Sequence, residues 1–399
     1  MRILKSAGVI FLAAALLFSF GGCVEEIIIS VEAYGDMSVV YCDGGARYFW
    51  GSNASYRTDS EDPAATEPEA LTAVSGLIDF ACGQEHTVWL TNSGLYMSGN
   101  ESLALAGSST SRLGSARRLV GSSETALLSA EAGSEVTVID ISTADIVSVE
   151  AGDAHTVVLK SDGTVWAWGD NSSGQLGNSS MASSDTPVRV GSLEGISSIS
   201  TSGDGTSAAV DMDGGVWIWG PEATAEGVEI LSAPRCVSGL EDIAQVVCGN
   251  GFRGAVKLDG TVWTWGQNSG GELGLGITDT VISSPRRVEL ITGAISITAG
   301  AHFMTCVDSD GAVWTWGQND KGQLGRNTEA SFDPAPGMAE GLEGIIGVSS
   351  GLNHSVALKK DGSVLTWGAN DSGQLGRQTE EAYGAPGKIK SFKASISIA

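Results

Sequence analysis

The four histidines are the side chains from which a catalytic or metal-binding site would be built, because imidazole transfers protons near neutral pH and ligates metals. One position, seven residues before a predicted turn, is filled in successive segments by His86, His155, Thr206, Phe252, Phe303 and His354, and His302 lies one residue away from it. Catalysis would not tolerate a threonine or a phenyl ring in place of imidazole. We therefore expect the histidines to pack inside a repeated structure.

The other motifs that mark chemistry are missing. The sequence has no P-loop, no His-Glu-x-x-His zinc motif and no Gly-x-Ser-x-Gly nucleophile elbow. Residues 170–174 match part of a calcium loop but lack its terminal acid, and residues 161–166 depart from the sialidase Asp-box in spacing. We predict no catalytic residue, no metal and no cofactor.

The cysteines do not form a metal-binding or fully paired set. Beyond Cys23 they are Cys42, Cys82, Cys236, Cys248 and Cys306. None belongs to a Cys-x-x-Cys pair, so zinc spacing is absent, and an odd number excludes complete internal pairing. We expect these five to be small buried hydrophobic residues.

Composition favours many short strands joined by tight turns. The 399 residues include 55 glycines, which supply the positive φ that such turns require. The formal charge of −25 excludes a nucleic-acid partner, since phosphate binding needs clustered Lys and Arg. We interpret this charge mainly as a determinant of solubility, with an acidic binding face as the alternative.

Copies of one segment of about 50 residues recur along the chain. Residues 147–177 read VSVEAGDAHTVVLKSDGTVWAWGDNSSGQLG, and the glycine after the second Trp position recurs as Gly51, Gly99, Gly169, Gly220, Gly266, Gly317 and Gly368. Four copies are close to one another and three are degenerate. A longer interval between the second and third copies indicates an insertion near residues 121–140.

Each copy reads as a four-stranded antiparallel unit. Short apolar runs flank an Asp-Gly pair, which predicts a type I′ hairpin turn, and a proline-led run supplies the last strand. One such sheet cannot bury both of its faces, so neighbouring sheets must stack around a ring. We expect the repeated Trp residues to fill the space between sheets rather than to form a ligand-binding aromatic box. An open ring would expose strand edges, and the repeat pattern at both ends predicts that the two termini share one blade.

The pattern Gly-x-x-His-Thr, followed by Asp-Gly-x-Val-Trp-x-Trp-Gly-x-Asn-x-x-Gly-Gln-Leu-Gly, resembles the repeat of the regulator of chromosome condensation family over about residues 30–399. The resemblance implies an all-β, seven-bladed β-propeller of four-stranded antiparallel blades, with the ring closed by strands from both termini. The family includes a chromatin-bound exchange factor for a small GTPase and a secreted bacterial inhibitor of β-lactamase.

The N-terminus predicts export. Arg2 and Lys5 precede an apolar stretch too short to span a bilayer, as in a signal peptide over residues 1–22. The sequence Phe20-Gly21-Gly22-Cys23 resembles the lipobox of bacterial lipoproteins, with Phe20 where Leu is more usual. We expect Cys23 to be lipidated, residues 23–29 to form a short tether and residues 30–399 to form the propeller. The alternative is ordinary secretory cleavage nearby.

Two loops share an arginine and an aromatic residue at matched spacing. Arg326 is followed by Phe332, and Arg377 by Tyr383, so both pairs should occupy equivalent places on adjacent blades. Arg and aromatic residues are typical of interface hot spots. These four residues, with Tyr56 in an acidic loop over residues 52–72, are the predicted partner-binding site. In the alternative, each aromatic ring packs on its own blade.

Export excludes nucleotide exchange on a cytoplasmic GTPase. The sequence favours a monomeric, lipid-anchored protein of the cell envelope, bound to the membrane through Cys23, that recognises an unknown protein outside the cytoplasm and is not an enzyme. An inhibitor of a secreted enzyme such as a β-lactamase is the alternative. Extracellular glycan binding and, by analogy with the family, guanine-nucleotide exchange rank lower.

Overall fold

The computed structural model describes residues 5–6, 9–10, 28–42, 46–52, 64–70, 77–83, 86–91, 94–99, 117–120, 145–278, 280–326, 328, 330–378 and 383–389. Strands and turns make up this part of the chain, which contains no α-helix and hence no helix that could cross a membrane. Two short strands, β1 (Lys5–Ser6) and β2 (Val9–Ile10), pair with each other. The other 28 strands form seven sheets of four, as the repeat predicts.

Each sheet, or blade, consists of four consecutive antiparallel strands. Blade 1 contains β3 (Ile28–Tyr34), β4 (Met37–Cys42), β5 (Arg47–Ser52) and β6 (Ala64–Ala70). Blade 2 contains β7 (Leu77–Cys82), β8 (His86–Thr91), β9 (Gly94–Gly99) and β10 (Arg117–Val120). Blade 3 contains β11 (Ile146–Ala151), β12 (His155–Lys160), β13 (Val165–Gly169) and β14 (Ser184–Arg189). Blade 4 contains β15 (Ile196–Thr201), β16 (Ser207–Asp211), β17 (Val216–Thr224) and β18 (Gly227–Cys236).

Blades 5 to 7 repeat this arrangement. Blade 5 contains β19 (Ile243–Gly249), β20 (Phe252–Lys257), β21 (Val262–Gln267) and β22 (Val281–Arg287). Blade 6 contains β23 (Ala294–Ala299), β24 (Phe303–Asp308), β25 (Val313–Gln318) and β26 (Phe332–Met338). Blade 7 contains β27 (Ile345–Ser350), β28 (His354–Lys359), β29 (Val364–Ala369) and β30 (Tyr383–Lys388). The first strand of each blade contacts the first strands of its neighbours, so these strands line a central channel.

The Asp-Gly hairpins form as predicted but with a different turn. In blade 3 only Gly163 has a positive φ, of 77°, whereas a type I′ turn requires positive φ at both central residues. The Asp162 carboxylate accepts hydrogen bonds from the amide and the hydroxyl of Thr164, at 3.0 and 2.6 Å. This side chain-to-backbone bond holds Asp162 at negative φ, so the prediction of a type I′ turn is wrong.

Tryptophans fill the space between blades, which confirms their packing role. The second Trp of each strong repeat is fully buried. Where the preceding blade has the Gly-Gln/Glu-Leu-Gly loop, the indole donates a hydrogen bond to it, whereas Trp168 and Trp265, which follow blades 2 and 4, have no hydrogen-bond partner among the described residues. Trp219 Nε1 lies 2.9 Å from Gln175 O, and Trp316 Nε1 lies 2.8 Å from Glu272 O. Trp89 lies outside the repeat positions and stacks on Phe80 at 5.2 Å between ring centroids. The aromatic side chains thus bind each blade to its neighbour.

The ring closes where blade 7 packs on blade 1. Leu352 N donates to Gly35 O at 2.7 Å, and Ala33 N donates to Ser349 Oγ at 3.0 Å. Strands from near both ends of the chain close the ring, as predicted, but they lie in adjacent blades. Every sheet of the described residues uses consecutive strands, so the prediction that the termini share one blade is wrong. Blade 1 is already complete because β6 lies within the segment that the sequence analysis interpreted as an acidic loop. The predicted insertion, residues 121–140, and residues 395–398 lie outside the described residues.

Candidate partner-binding surface

The propeller has two faces, which the strand order defines. The loop face carries the turns between first and second strands and the loops between third and fourth strands. These meet where Asp170 N donates to Ala154 O at 2.8 Å. The hairpin face carries the Asp-Gly turns and the links between blades, which meet where Met212 N donates to Gly195 O at 2.8 Å.

Arg326 is held by its own blade. Its Nε donates to Thr315 Oγ1 and its Nη2 to Thr315 O, each at 3.1 Å. Its Nη1 lies 2.9 Å from Asp333 Oδ2, and the side chain is only 14% exposed. The guanidinium therefore joins the third and fourth strands of blade 6 and offers little surface to a partner.

Arg377 repeats this arrangement in blade 7. Its Nη2 donates to Thr366 O at 3.1 Å and to Ala385 O, and Nε lies 3.3 Å from Thr366 Oγ1. Burial lowers the pKa of Arg377 from its ordinary value. The two arginines thus occupy equivalent places, as the matched spacing predicted, but these contacts favour a structural role for both.

The two aromatic residues open equivalent outer strands. Phe332 pairs with Gln318, and Tyr383 pairs with Ala369, at the same register in adjacent blades. The Phe332 side chain is 42% exposed at the loop face. Tyr56 and Cys23 lie outside the described residues. Of the predicted site, Phe332 has the exposure that a contact residue needs.

Further exposed apolar side chains lie on the loop face of the neighbouring blades. Met181 belongs to the loop of blade 3, Val228 and Ile230 to blade 4, and Ile277 to the loop of blade 5; all are at least 40% exposed. On this face blade 3 is linked to blade 4, where Ser179 N donates to Ser232 O at 2.7 Å, and blade 5 to blade 6, where Gly276 N donates to Pro334 O at 2.8 Å. Together with Phe332 they form an apolar ridge, defined as Met181, Val228, Ile230, Ile277 and Phe332. Sequence analysis missed four of its members because single exposed apolar residues carry no signal.

Blade 4 has a different construction on this face. A hairpin, β17 with β18, replaces the long loop of the other blades and brings Val228 to the surface beside its turn at residues 224–227. Glu222 stands where the other blades have the asparagine that holds the loop, as Asn171 does through Leu176 N at 3.0 Å. The Glu222 carboxylate is buried and pairs with the Arg253 guanidinium of blade 5, which is fully buried.

The channel opens on the loop face in a cavity of about 140 Å³. Its polar lining includes Glu150, Ser200, Thr298 and Ser349 at the ends of the first strands. Side chains on these strands bind the backbone of the next blade, for example Cys248 N to Ser200 Oγ at 3.1 Å. The lining hydroxyls therefore serve largely to join blades.

Three carboxyl groups lie buried beside this channel, on the first strands of blades 1 to 3. They are Glu32, Asp79 and Glu150. Burial raises the pKa of Glu150, and the nearby Asp79 and Glu32 carboxyls raise it further. Burial likewise raises the pKa of Asp79, with Glu32 adding to the effect. Tyr41 Oη donates to Glu32 Oε2 at 2.7 Å. In the described part of the chain, no cluster of His, Cys, Asp and Glu is arranged to hold a metal ion.

Three histidines join blades, which confirms their structural interpretation. His354 Nε2 lies 2.8 Å from Ser38 Oγ, and His86 Nε2 lies 3.1 Å from Thr156 Oγ1, each in the next blade. Burial lowers the pKa of His354 to about 3, so its ring is neutral. A Cβ at Gly351 would come within 2.3 Å of this ring, which explains the glycine three residues before the histidine. His302 is exposed on the loop face, 3.7 Å from Glu272 Oε1.

The cysteines follow the expectation with one exception. Cys42, Cys82, Cys248 and Cys306 are buried and unpaired, and burial raises the pKa of Cys248 to about 12. Cys236 is exposed, so the prediction of burial is wrong there. It ends the outermost strand of blade 4, where no neighbouring strand covers it.

Comparison with known proteins identifies the family. The sequence model of the RCC1-like domain matches residues 48–399. The chain belongs to the RCC1-like domain family. Its repeat, its seven blades and the packing of its tryptophans are thus features of an RCC1-like propeller.

Two curated relatives show the range of this family. The chain is 28% identical to Regulator of chromosome condensation of Xenopus laevis over 351 residues, covering 80% of this chain and 78% of that protein. It is 32% identical to the human E3 ubiquitin-protein ligase HERC2 over 253 residues, or 60% of this chain. This chain spans only 5% of the length of HERC2.

Among solved structures, Prp20p of Saccharomyces cerevisiae superposes with a TM-score of 0.71 at 21% sequence identity. The match covers 92% of this chain and 88% of Prp20p, and shows the shared fold. Prp20p has binding properties towards Gsp1p and histones. RCC1-like propellers thus include proteins that bind other proteins.

Proposed function

We propose that this RCC1-like propeller recognises a protein partner through its loop face, outside the cytoplasm, while a lipid on Cys23 anchors it to the cell envelope. The apolar ridge carries the proposal. Five apolar side chains that are at least 40% exposed lie on the loop face of four successive blades, and exposed apolar surface of this kind suits a protein partner.

The ridge also has the chemistry of a binding site rather than of a catalytic one. Burying an apolar side chain such as Phe332 or Val228 contributes roughly 1.5–3 kcal/mol, which corresponds to about tenfold or more in affinity for each residue. Arg326, which is only 14% exposed, holds the outer strand of blade 6 in position beside Phe332. We therefore propose binding as the activity, with no chemical step.

The compartment follows from the N-terminal sequence. The apolar stretch before Cys23 and the lipobox-like residues support export and acylation. The partner is then a protein of the envelope or of the secreted set.

A capture experiment tests the proposal. The full chain, extracted from its own membranes in mild detergent, is used to capture envelope and secreted proteins. A V228D/F332A variant should bind the captured partner at least about tenfold more weakly, since both changes remove apolar surface from the ridge. The matched control is M338D, which changes an exposed apolar residue at the other end of the strand that begins with Phe332, outside the ridge, and should bind as the wild type does. Equal binding by all three proteins would refute the ridge as the site.

A further inference from the structure

The hairpin face carries its own ring of exposed apolar side chains. The first strand of each blade contains one extra residue, since the register of every first strand shifts after its first pair. This bulge turns one side chain outward near the channel axis. The bulge residues that are large, apolar and more than a third exposed are Ile78, Val147, Ile295 and Ile346.

Blades 4 and 5 extend this apolar surface outward. Their bulge residues are small, but the tips of their hairpins carry Met212 and Leu258, which are 80% and 75% exposed. Leu290, in the link between blades 5 and 6, is 61% exposed. Equivalent hairpin tips in blades 3, 6 and 7 carry Ser161, Ser309 and Lys360. The turn therefore does not require an apolar residue at its tip, and the apolar side chains there are particular to blades 4 and 5.

The chain enters the propeller at this same face. β3 begins at Ile28, which pairs with Cys42, the last residue of β4 before its hairpin turn. Ile29 is the bulge residue of blade 1 and is half-buried. Four residues lie between Cys23 and Ile28, and the five steps of chain from Cys23 to Ile28 reach about 17 Å even when fully extended. An anchor on Cys23 would hold the hairpin face, and not the loop face, against the membrane.

We propose that the hairpin face is a membrane-contacting surface, whose bulge residues and the side chains of Met212, Leu258 and Leu290 enter the lipid surface that holds the anchor. The inference rests on the proposed lipid anchor at Cys23. It orients the propeller with its loop face, and hence the apolar ridge, directed away from the membrane.

Depth-dependent quenching tests this orientation. Cys236→Ser removes the exposed native thiol of the described chain, and single cysteines are then placed at Met212, Leu258 and, as the loop-face control, Val228. The full-length lipidated protein is labelled with an environment-sensitive fluorophore. It is reconstituted into phosphatidylcholine and phosphatidylglycerol vesicles with or without nitroxide-labelled acyl chains. Nitroxide should reduce emission roughly twofold or more at positions 212 and 258, which would lie about 5–10 Å into the interface, and leave position 228 unchanged.

Anchoring is measured separately, by the mass of the N-terminal peptide and by membrane fractionation of wild type and Cys23→Ser. An unmodified Cys23 with equal solubility of both proteins would overturn the anchored function and this inference together. An acylated Cys23 with no quenching at positions 212 and 258, or with equal quenching at position 228, would overturn the membrane-contacting face alone.

Discussion

Arg253→Ala should be among the most destabilising substitutions in the propeller. Arg253 lies in the second strand of blade 5. At the equivalent position of other blades, Thr156 and Ser38 contact the histidine of the preceding blade. Blade 4 has Thr206 in place of that histidine, and the guanidinium of Arg253 fills the space and pairs with Glu222. Arg253 is fully buried, and the Glu222 side chain is only 4% exposed.

The magnitude follows from this burial. Removing one partner of a buried ion pair leaves an uncompensated charge and costs about 3–5 kcal/mol. Replacing both partners with apolar residues of similar volume is often neutral or better. Arg253 Nε and Nη2 have no hydrogen-bond partner among the described residues, which adds to the cost of the native pair. We therefore expect R253A to lose about 3–5 kcal/mol and E222L/R253M to lie within about 1 kcal/mol of the wild type.

Urea unfolding at neutral pH, followed by tryptophan fluorescence, measures both variants. The fluorescence reports directly on the interblade indoles. If R253A lost less than about 1 kcal/mol of unfolding free energy, solvent or a rearrangement of the protein would have to stabilise the Glu222 carboxylate in place of Arg253. A double variant as unstable as R253A would show that packing, and not the unpaired charge, sets the cost.

Three further predictions follow from local contacts. Gly249→Ala should cost about 1–3 kcal/mol, because its Cβ would lie 2.2 Å from the Phe252 ring; an unchanged urea midpoint would contradict this. Glu150→Gln should stabilise the protein more at about pH 8 than at about pH 4, by roughly 1 kcal/mol or more. Burial raises the native-state pKa of Glu150, so the contribution of this carboxyl to stability is fully present below its unfolded-state pKa and is lost as pH rises through its native-state pKa; equal gains at both pH values would refute the shift. Arg326→Ala should lower the free energy of unfolding by about 1–3 kcal/mol through its lost hydrogen bonds, whereas Phe332→Ala should leave it within about 0.5 kcal/mol and weaken capture instead. Equal unfolding curves for these two variants would contradict the assignment.

The repeat alone predicts the architecture, because each physical role recurs in several copies. The spacing of the Trp residues defines blades, and the exchange of His155 for Thr206 or Phe252 marks a packing position. Matched spacing also places Arg326 with Arg377. What spacing cannot reveal is the direction of a side chain, and both guanidinium groups point into their own blades.

Degenerate copies limit what the sequence reveals. The outer strand of blade 1, Ala64–Ala70, is rich in Glu and resembles a loop because its outward face is open to solvent. The pair of Arg253 and Glu222 joins two blades and stands where Thr206 replaces the histidine of other blades. No local pattern in the sequence therefore predicts it. The apolar ridge and the hairpin-face ring exist only once blades stand side by side.

Site-specific photo-crosslinking in intact cells tests recognition through the loop face most directly. A photoreactive phenylalanine analogue is placed at Val228 or Phe332 on the apolar ridge, and at Met212 or Leu258 on the hairpin face. We predict one discrete protein adduct from both ridge positions and none from the hairpin positions. No adduct from the ridge, or the same adduct from the hairpin face, would contradict the proposed recognition surface.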